Sequence, residues 1–344
     1  MKYDLENINA RFGIGSQKWQ EMKNNPLVDE KVIPFSVADM EFKLAPEITE
    51  GLKKFIDDNI LGYAGTNKKY RESVCKWQQK HHDFTVDEKW LVETHSVVNA
   101  FFTAVKAFTQ KGDGVMLFTP VYYPMYKAIE INQRKLVEIP LINNGMTYDI
   151  DWDLFTKKAK AIDTKMLILC SPHNPCGRIW TREELTKISE ICLANDILVV
   201  ADEIHADLIM PGFKHVSYGT ISKEALEHSI ICTAPSKTFN LAGMQLSNVF
   251  IANENYRNLF KAEQATDADF ACSILSYEAC RLAYEYGEEW LTEVINIIDT
   301  NKKIIMDFIQ TIHGLWRWVF GILAVVVVVK YAIGWLTSAK FTAL

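Results

Sequence analysis

The sequence predicts an α/β fold, a doubly wound and mainly parallel sheet accompanied by a smaller second domain. Three observations carry that prediction. Between residues 90 and 252, short apolar runs alternate with longer amphipathic stretches. The short runs are Val-, Ile- and Leu-rich nearly throughout, as strands covered on both faces are. The chain has 344 residues, 49% hydrophobic and 23% charged, which suffices for a large buried core.

The elements follow in chain order. Strands are expected at 115–119 (VMLFT), 135–141 (KLVEIPL), 165–170 (KMLILC), 197–202 (ILVVAD), 229–233 (SIICT) and 248–252 (NVFIA). Helix-like segments separate them. VVNAFFTAVKAFTQ starts at Val97 and stops before Gly112 and Gly114. TREELTKISEICLAND opens with Thr181 and Glu184, the capping-box spacing that satisfies free N–H groups at a helix start. Strand–helix alternation of this kind argues for a sheet wrapped on both faces.

A large domain is expected over residues 46–280, with 1–45 and 281–312 forming a smaller, incomplete one. Residues 313–344 read as an atypical apolar tail. Its uninterrupted run, 318–329 between Arg317 and Lys330, falls short of the roughly 20 residues of a spanning helix, so a membrane partner is not expected. An altered or truncated C-terminus ranks first for this tail. A buried strand, favoured by the valine run, ranks second and a membrane anchor third.

Composition narrows the function. A net charge of -6, without a Lys/Arg cluster, argues against a nucleic-acid partner. The N-terminal MKYDLENINARFGIGS lacks the apolar core of a signal peptide, so a cytoplasmic protein is expected. Seven scattered cysteines without a C-x-x-C pair read as reduced thiols rather than disulfides or a zinc site. The histidines form no H-x-x-x-H pattern, no metal is expected, and His81-His82 reads as a solvated pair.

In folds of this class ligands bind beyond the carboxyl ends of the strands. TPVYYP there offers Tyr122 and Tyr123, and SPHNPCGR offers Asn174. ADEIH offers Asp202 and His205, and APSKTFN offers Lys237. Singly these are weak, since S-P-x-N-P is also turn chemistry and a strand-end aspartate can cap a helix. Together they suit pyridoxal 5'-phosphate. That cofactor needs a lysine to hold it covalently, an acid against its ring nitrogen, a donor to its phenolic oxygen, an aromatic face and a phosphate cradle.

The ordered set FSVADMEF (35–42), SVVNAF (96–101), TPVYYPMYKAIE (119–130), LCSPHNPCGRIWTREEL (169–185), VVADEIHADLIMPGFKH (199–215) and APSKTFNLAGMQLSNV (234–249) resembles the class I/II aminotransferase superfamily of fold-type I pyridoxal-phosphate enzymes. Within it the chain is most similar to the cystathionine β-lyase branch, the MalY/PatB type of C–S lyase. The resemblance implies that Lys237 is the covalent anchor and that Asp202 pairs with the ring nitrogen. It gives Asn174 to the phenolic oxygen and Tyr122 to the ring face. His205 stands where many aminotransferases have a tyrosine. Backbone N–H groups of Ser96, Val97 and Val98, helped by Ser236, are implied to receive the phosphate. Tyr63 matches a tyrosine that reaches the neighbouring subunit's phosphate, which implies a homodimer.

Two departures stand out. His95-Ser96 replaces the family's Pro-Gly ahead of the phosphate-binding helix. The resemblance also fades after NKKIIMDFIQTIH, and Arg317 does not align with the family arginine that pairs with the substrate α-carboxylate. The expected activity is a C–S β-lyase acting on a small sulfur amino acid and releasing pyruvate, ammonia and a thiol. The alternatives are an aminotransferase on the same fold, or a cofactor-binding protein of weak activity.

Overall fold

A computed structural model describes residues 2–312 apart from 8, 10, 26–33, 35, 146 and 270. The apolar tail 313–344 therefore lies outside the described residues. The chain divides into two units, Met1–Glu293 and Val294–Leu344. Sheet and cavity belong to the first. In the second, residues 294–312 are helical, with Asp299 paired to Lys302 and Lys303. A small domain made of 1–45 and 281–312 stands as a proposal.

The described strands are β1 (Leu91–Thr94), β2 (Gly114–Thr119), β3 (Lys135–Pro140), β4 (Ile142–Asn143), β5 (Tyr148–Asp149), β6 (Thr164–Cys170), β7 (Leu198–Asp202), β8 (Ser229–Thr233) and β9 (Ser247–Phe250). Seven of them form one sheet in the order β1-β9-β8-β7-β6-β2-β3, and β4 pairs with β5 alone. The run from β3 through β2, β6 and β7 to β8 is parallel. Only β9 against β8 and β1 against β9 are antiparallel. The mainly parallel sheet expected from the sequence is present.

All six expected strands form within two residues of their expected ends. The sequence reading missed β1 and the β4–β5 hairpin. LVET is four residues long and carries Glu93. The hairpin strands hold two residues each, too few to show any periodicity. The capping box at Thr181 is formed, with Thr181 accepting from the Glu184 N–H and the Glu184 carboxylate accepting in return.

Burial explains the uniform strand composition. Every residue of β2, β7, β8 and β9 is buried, and β6 relents only at Lys165. The helix Val97–Phe108 lays Val97, Ala100, Phe101, Ala104 and Val105 on one apolar cluster with Val115, Leu117, Met166, Ile168, Val200 and Ile230. Each larger side chain so buried contributes about 1.5–3 kcal/mol.

The strand order also places the site. From β2 the chain moves outward to β3, then returns past β2 to β6 and continues to β7 and β8. Between β2 and β6 the direction of winding reverses, so their following loops diverge and leave a crevice at the strand ends. Register aligns those ends: Cys170 sits opposite Asp202, and Asp202 opposite Cys232.

One expectation fails here. The His81-His82 pair is not solvated. His82 is buried and gives its Nε2–H to Asp207 at 2.7 Å, while His81 stacks on Trp77 at 3.8 Å between ring centroids. Trp77 and His82 face the packed side of the helix Lys68–His82, so the charged neighbours in sequence are on the other face. Among the described residues no helix is long and apolar enough to cross a membrane.

Candidate active site

A cavity of about 550 Å³ opens at the crevice. That is within the roughly 300–1,000 Å³ of small-ligand sites. Lys237 enters it from the four-residue helix Pro235–Thr238 directly after β8. Pro235 suits the first helical position because it has no N–H to leave unpaired. The Lys237 ammonium donates to the Ala38 carbonyl at 3.1 Å. Burial lowers its pKa, against the pull of Asp39 and Asp202, so the amine loses its proton more easily than a surface lysine.

Asp202, the last residue of β7, lines the same cavity and is 4% exposed. Burial pushes its carboxyl up to about 7, although the Ile204 N–H at 3.1 Å and Lys237 oppose the rise. A carboxylate so placed is short of a cation. His205, three residues on, is pushed down to about 4 by burial and by Lys237, which makes its imidazole neutral near pH 7.

Tyr122 follows β2 at the start of the helix Tyr123–Ile131, half-buried against the core, with its ring open to the cavity. Asn174 follows β6, its N–H on Cys170 Sγ at 3.3 Å, and lines the cavity too. At the other end stands the start of the helix Val97–Phe108. Ser96 caps it, its hydroxyl oxygen accepting from the Asn99 N–H at 3.1 Å. That leaves the N–H groups of Val97 and Val98 without an intrahelical acceptor at the positive end of the helix dipole. Ser96, Val97, Val98 and Ser236 all border the cavity there.

These residues suit pyridoxal 5'-phosphate on chemical grounds. A buried carboxylate matches a protonated ring nitrogen, the free N–H groups match a phosphate, and Lys237 lines the same cavity with a depressed pKa. Tyr63 is the exception among the expected residues. It is fully exposed, outside this cavity, in a second concavity made by Leu61–Ala64 and residues 271–275.

With the geometry in place, the comparisons decide the family. The family model for aminotransferase class I and II matches residues 30–282. The chain belongs to this family. It is 37% identical over 301 residues to cystathionine beta-lyase PatB of Bacillus subtilis (strain 168), covering 88% of this chain and 78% of that protein. The crystal structure of cystalysin from Treponema denticola, which contains a pyridoxal 5'-phosphate cofactor, superposes with a TM-score of 0.89 at 42% identity. That match covers 90% of this chain and 79% of the other. The pyridoxal-phosphate-bound C-S lyase from Staphylococcus hominis gives 0.81 at 30% identity, covering 90% and 77%.

Several site residues of this aminotransferase-family chain were not singled out as such in the sequence. Val37 and Ala38 form one wall of the cavity, and Gln17 and Gln245 border it, beside Tyr123 and His95, which the sequence had already brought forward. His95, one of the two departures from the family pattern, has its Nδ1 2.7 Å from Asp269 Oδ1. Behind Lys237, Asp207 accepts from Trp77 Nε1 at 3.0 Å, His82 Nε2 at 2.7 Å and Thr238 Oγ1 at 2.7 Å. A lone Asp207 in the apolar run ADLIM is a signal of sorts. Nothing local tells that its partners are Trp77, His82 and Thr238.

Proposed function

We propose that this chain is a pyridoxal-phosphate-dependent C–S β-lyase of the cystathionine β-lyase type, which releases pyruvate, ammonia and a thiol from a sulfur amino acid. The observation that carries the reading is the meeting of Lys237 and Asp202, with opposite pKa displacements, in one cavity. The names of cystathionine beta-lyase PatB and the Staphylococcus C-S lyase favour elimination over transamination. When bound, the cofactor supplies an electron sink for the carbanion at the substrate's Cα.

The chain's own residues do the rest. Lys237 would hold the cofactor and, when its amine is free, would accept the Cα proton as general base. Its pKa, lowered by burial, lets it shed its own proton more readily than a surface lysine and so be ready to accept one. Asp202 would hold the proton on the ring nitrogen, and the cation there would stabilise the carboxylate that burial disfavours. Asn174 and the neutral His205 would serve the phenolic oxygen, and Tyr122 would offer its ring to the cofactor's. Ser96, Val97, Val98 and Ser236 take the phosphate.

We further infer a homodimer in the cytoplasm, with Tyr63 serving the partner's site. Exposed Ile60, Leu61 and Tyr63 beside the second concavity support a second copy of this chain as the occupant of that face. The function is tested by incubating purified protein with cystathionine and no 2-oxo acid. Pyruvate formed at a steady rate supports the lyase. Strict dependence on a 2-oxo acid acceptor replaces it with an aminotransferase.

A further inference from the structure

Asn240 lies three residues beyond Lys237 with φ +57°, in the left-handed region that asparagine tolerates better than most residues. Its amide is spent on one distant segment. Oδ1 accepts from the Met40 N–H at 2.9 Å, and Nδ2 donates to the Met40 carbonyl at 2.9 Å and the Phe42 carbonyl at 3.1 Å. Three of the four hydrogen bonds an amide side chain can make are thus given to backbone some 200 residues earlier.

That segment includes the cavity wall. Val37 and Ala38 line the cavity, and the Ala38 carbonyl accepts from Lys237 Nζ at 3.1 Å. On its other side the segment is pinned by Asp39, which accepts from both terminal guanidinium nitrogens of Arg11 at 2.9 Å and is paired with Lys18 at 3.0 Å. Asp39 and Arg11 fix the segment to the N-terminal region. Besides Lys237 itself, Asn240 fixes it to the loop that carries the lysine, by the three hydrogen bonds given above.

We propose that Asn240 is a positioning residue that holds the Ala38 carbonyl against the Lys237 amine, giving the lysine a fixed acceptor whenever it is free of the cofactor. This rests on Lys237 being the reacting lysine. The chemistry follows from the donor and acceptor. A neutral amine that donates one N–H to Ala38 has its lone pair turned away from that carbonyl. After the amine takes a proton from the substrate's Cα, the same carbonyl stabilises the ammonium by a charge-assisted bond. The charged and titratable groups facing Lys237 are Asp39 from the N-terminal segment, and Asp202 and His205 from the end of β7.

The test uses Asn240→Gly, which tolerates φ +57° and removes only the side chain. In cofactor-free full-length protein, the pH dependence of Lys237 acylation by trace acetic anhydride is read by mass spectrometry. The midpoint is expected to fall, because the ammonium loses its acceptor. With cofactor and cystathionine, kcat is expected to drop about 10- to 100-fold with a smaller change in KM, the scale of an ångström-level misplacement. A loss of melting temperature with unchanged midpoint and unchanged kcat overturns the proposal and leaves Asn240 a purely structural residue.

Asn240→Asp guards against a variant that does not fold. It keeps the bond from the Met40 N–H and loses both donated ones, so a kcat equal to that of the unmutated protein also overturns the proposal. Failure of the lyase reading is distinguishable. In that case the unmutated protein forms no pyruvate from cystathionine without a 2-oxo acid, whereas the acylation midpoint reports on Asn240 without any turnover.

Discussion

Thr238 donates its hydroxyl to Asp207 across 2.7 Å, one residue past Lys237. Thr238 is fully buried, and Asp207 collects His82 and Trp77 on its other lone pairs. The short helix bearing the lysine is thereby tied to the helix Lys68–His82, across the interior of the unit. Burial alone would raise the Asp207 carboxyl, but its hydrogen bonds from His82, Thr238 and Trp77 hold it below the usual range.

Thr238→Val removes one of those donors at nearly constant volume. The variant is expected to lose about 1–3 kcal/mol in urea unfolding, the cost of a buried acceptor left short of a partner. A loss well below that range would show that Asp207 is satisfied without Thr238.

The His82–Asp207 pair makes stability depend on pH with two signs. Asp207 is depressed, so its contribution is present above the unfolded carboxylate value of about 4 and is lost as pH falls through the depressed value. His82, where the Asp207 bond outweighs burial, is raised. Its contribution is present below the unfolded value of about 6.5 and is lost as pH rises through the raised one. The destabilisation caused by Asp207→Asn should therefore be greatest between about pH 4 and 6.5. Urea midpoints across pH 3–9 measure it, and a pH-independent difference would refute the pair.

Asp202 behaves in the opposite way to Asp207. Its folded-state value of about 7 lies above the unfolded one, so the cofactor-free protein binds the proton more tightly when folded. This contribution is present below about pH 4 and disappears as pH rises to 7. Asp202→Asn should flatten that part of the stability profile in cofactor-free protein. It should also sharply reduce lyase turnover, since an amide cannot hold a proton on the ring nitrogen.

Lys237→Ala removes the covalent anchor and the general base together. Borohydride reduction of cofactor-loaded protein is expected to fix cofactor mass on the Lys237 peptide in the unmutated chain and nowhere in the variant. Turnover should fall by at least the 10²–10⁴-fold typical of a lost general base. Cofactor trapped on another lysine would remove Lys237 from the mechanism.

Tyr63 supplies a test of the dimer. Tyr63→Ala and Lys237→Ala chains, unfolded together and refolded as a mixture, form hybrids in which one of the two sites is intact. Activity above the average of the two separately refolded variants is expected. No recovery, in a mixture shown by mass to contain hybrids, would place Tyr63 outside the partner's site.

The sequence by itself determined the sheet and the positions along it where chemistry had to lie. Apolar runs such as VMLFT and LVVAD can only be central strands, because both of their faces need covering, and a parallel sheet leaves its ligand groups at the strand ends. Tyr122, Asn174, Asp202, His205 and Lys237 were legible for that reason. So was the helix start at Val97. The tertiary structure alone decided what holds these residues in place. His82 looked like a surface histidine in KHH, yet helix packing turned it inward to Asp207. Ala38 has no functional group beyond its backbone and gives no signal in a sequence, yet its carbonyl meets a lysine 199 residues away. Periodicity reports on which face of an element is covered. It carries no record of which distant backbone will cover it, and at this site that backbone supplies the acceptor.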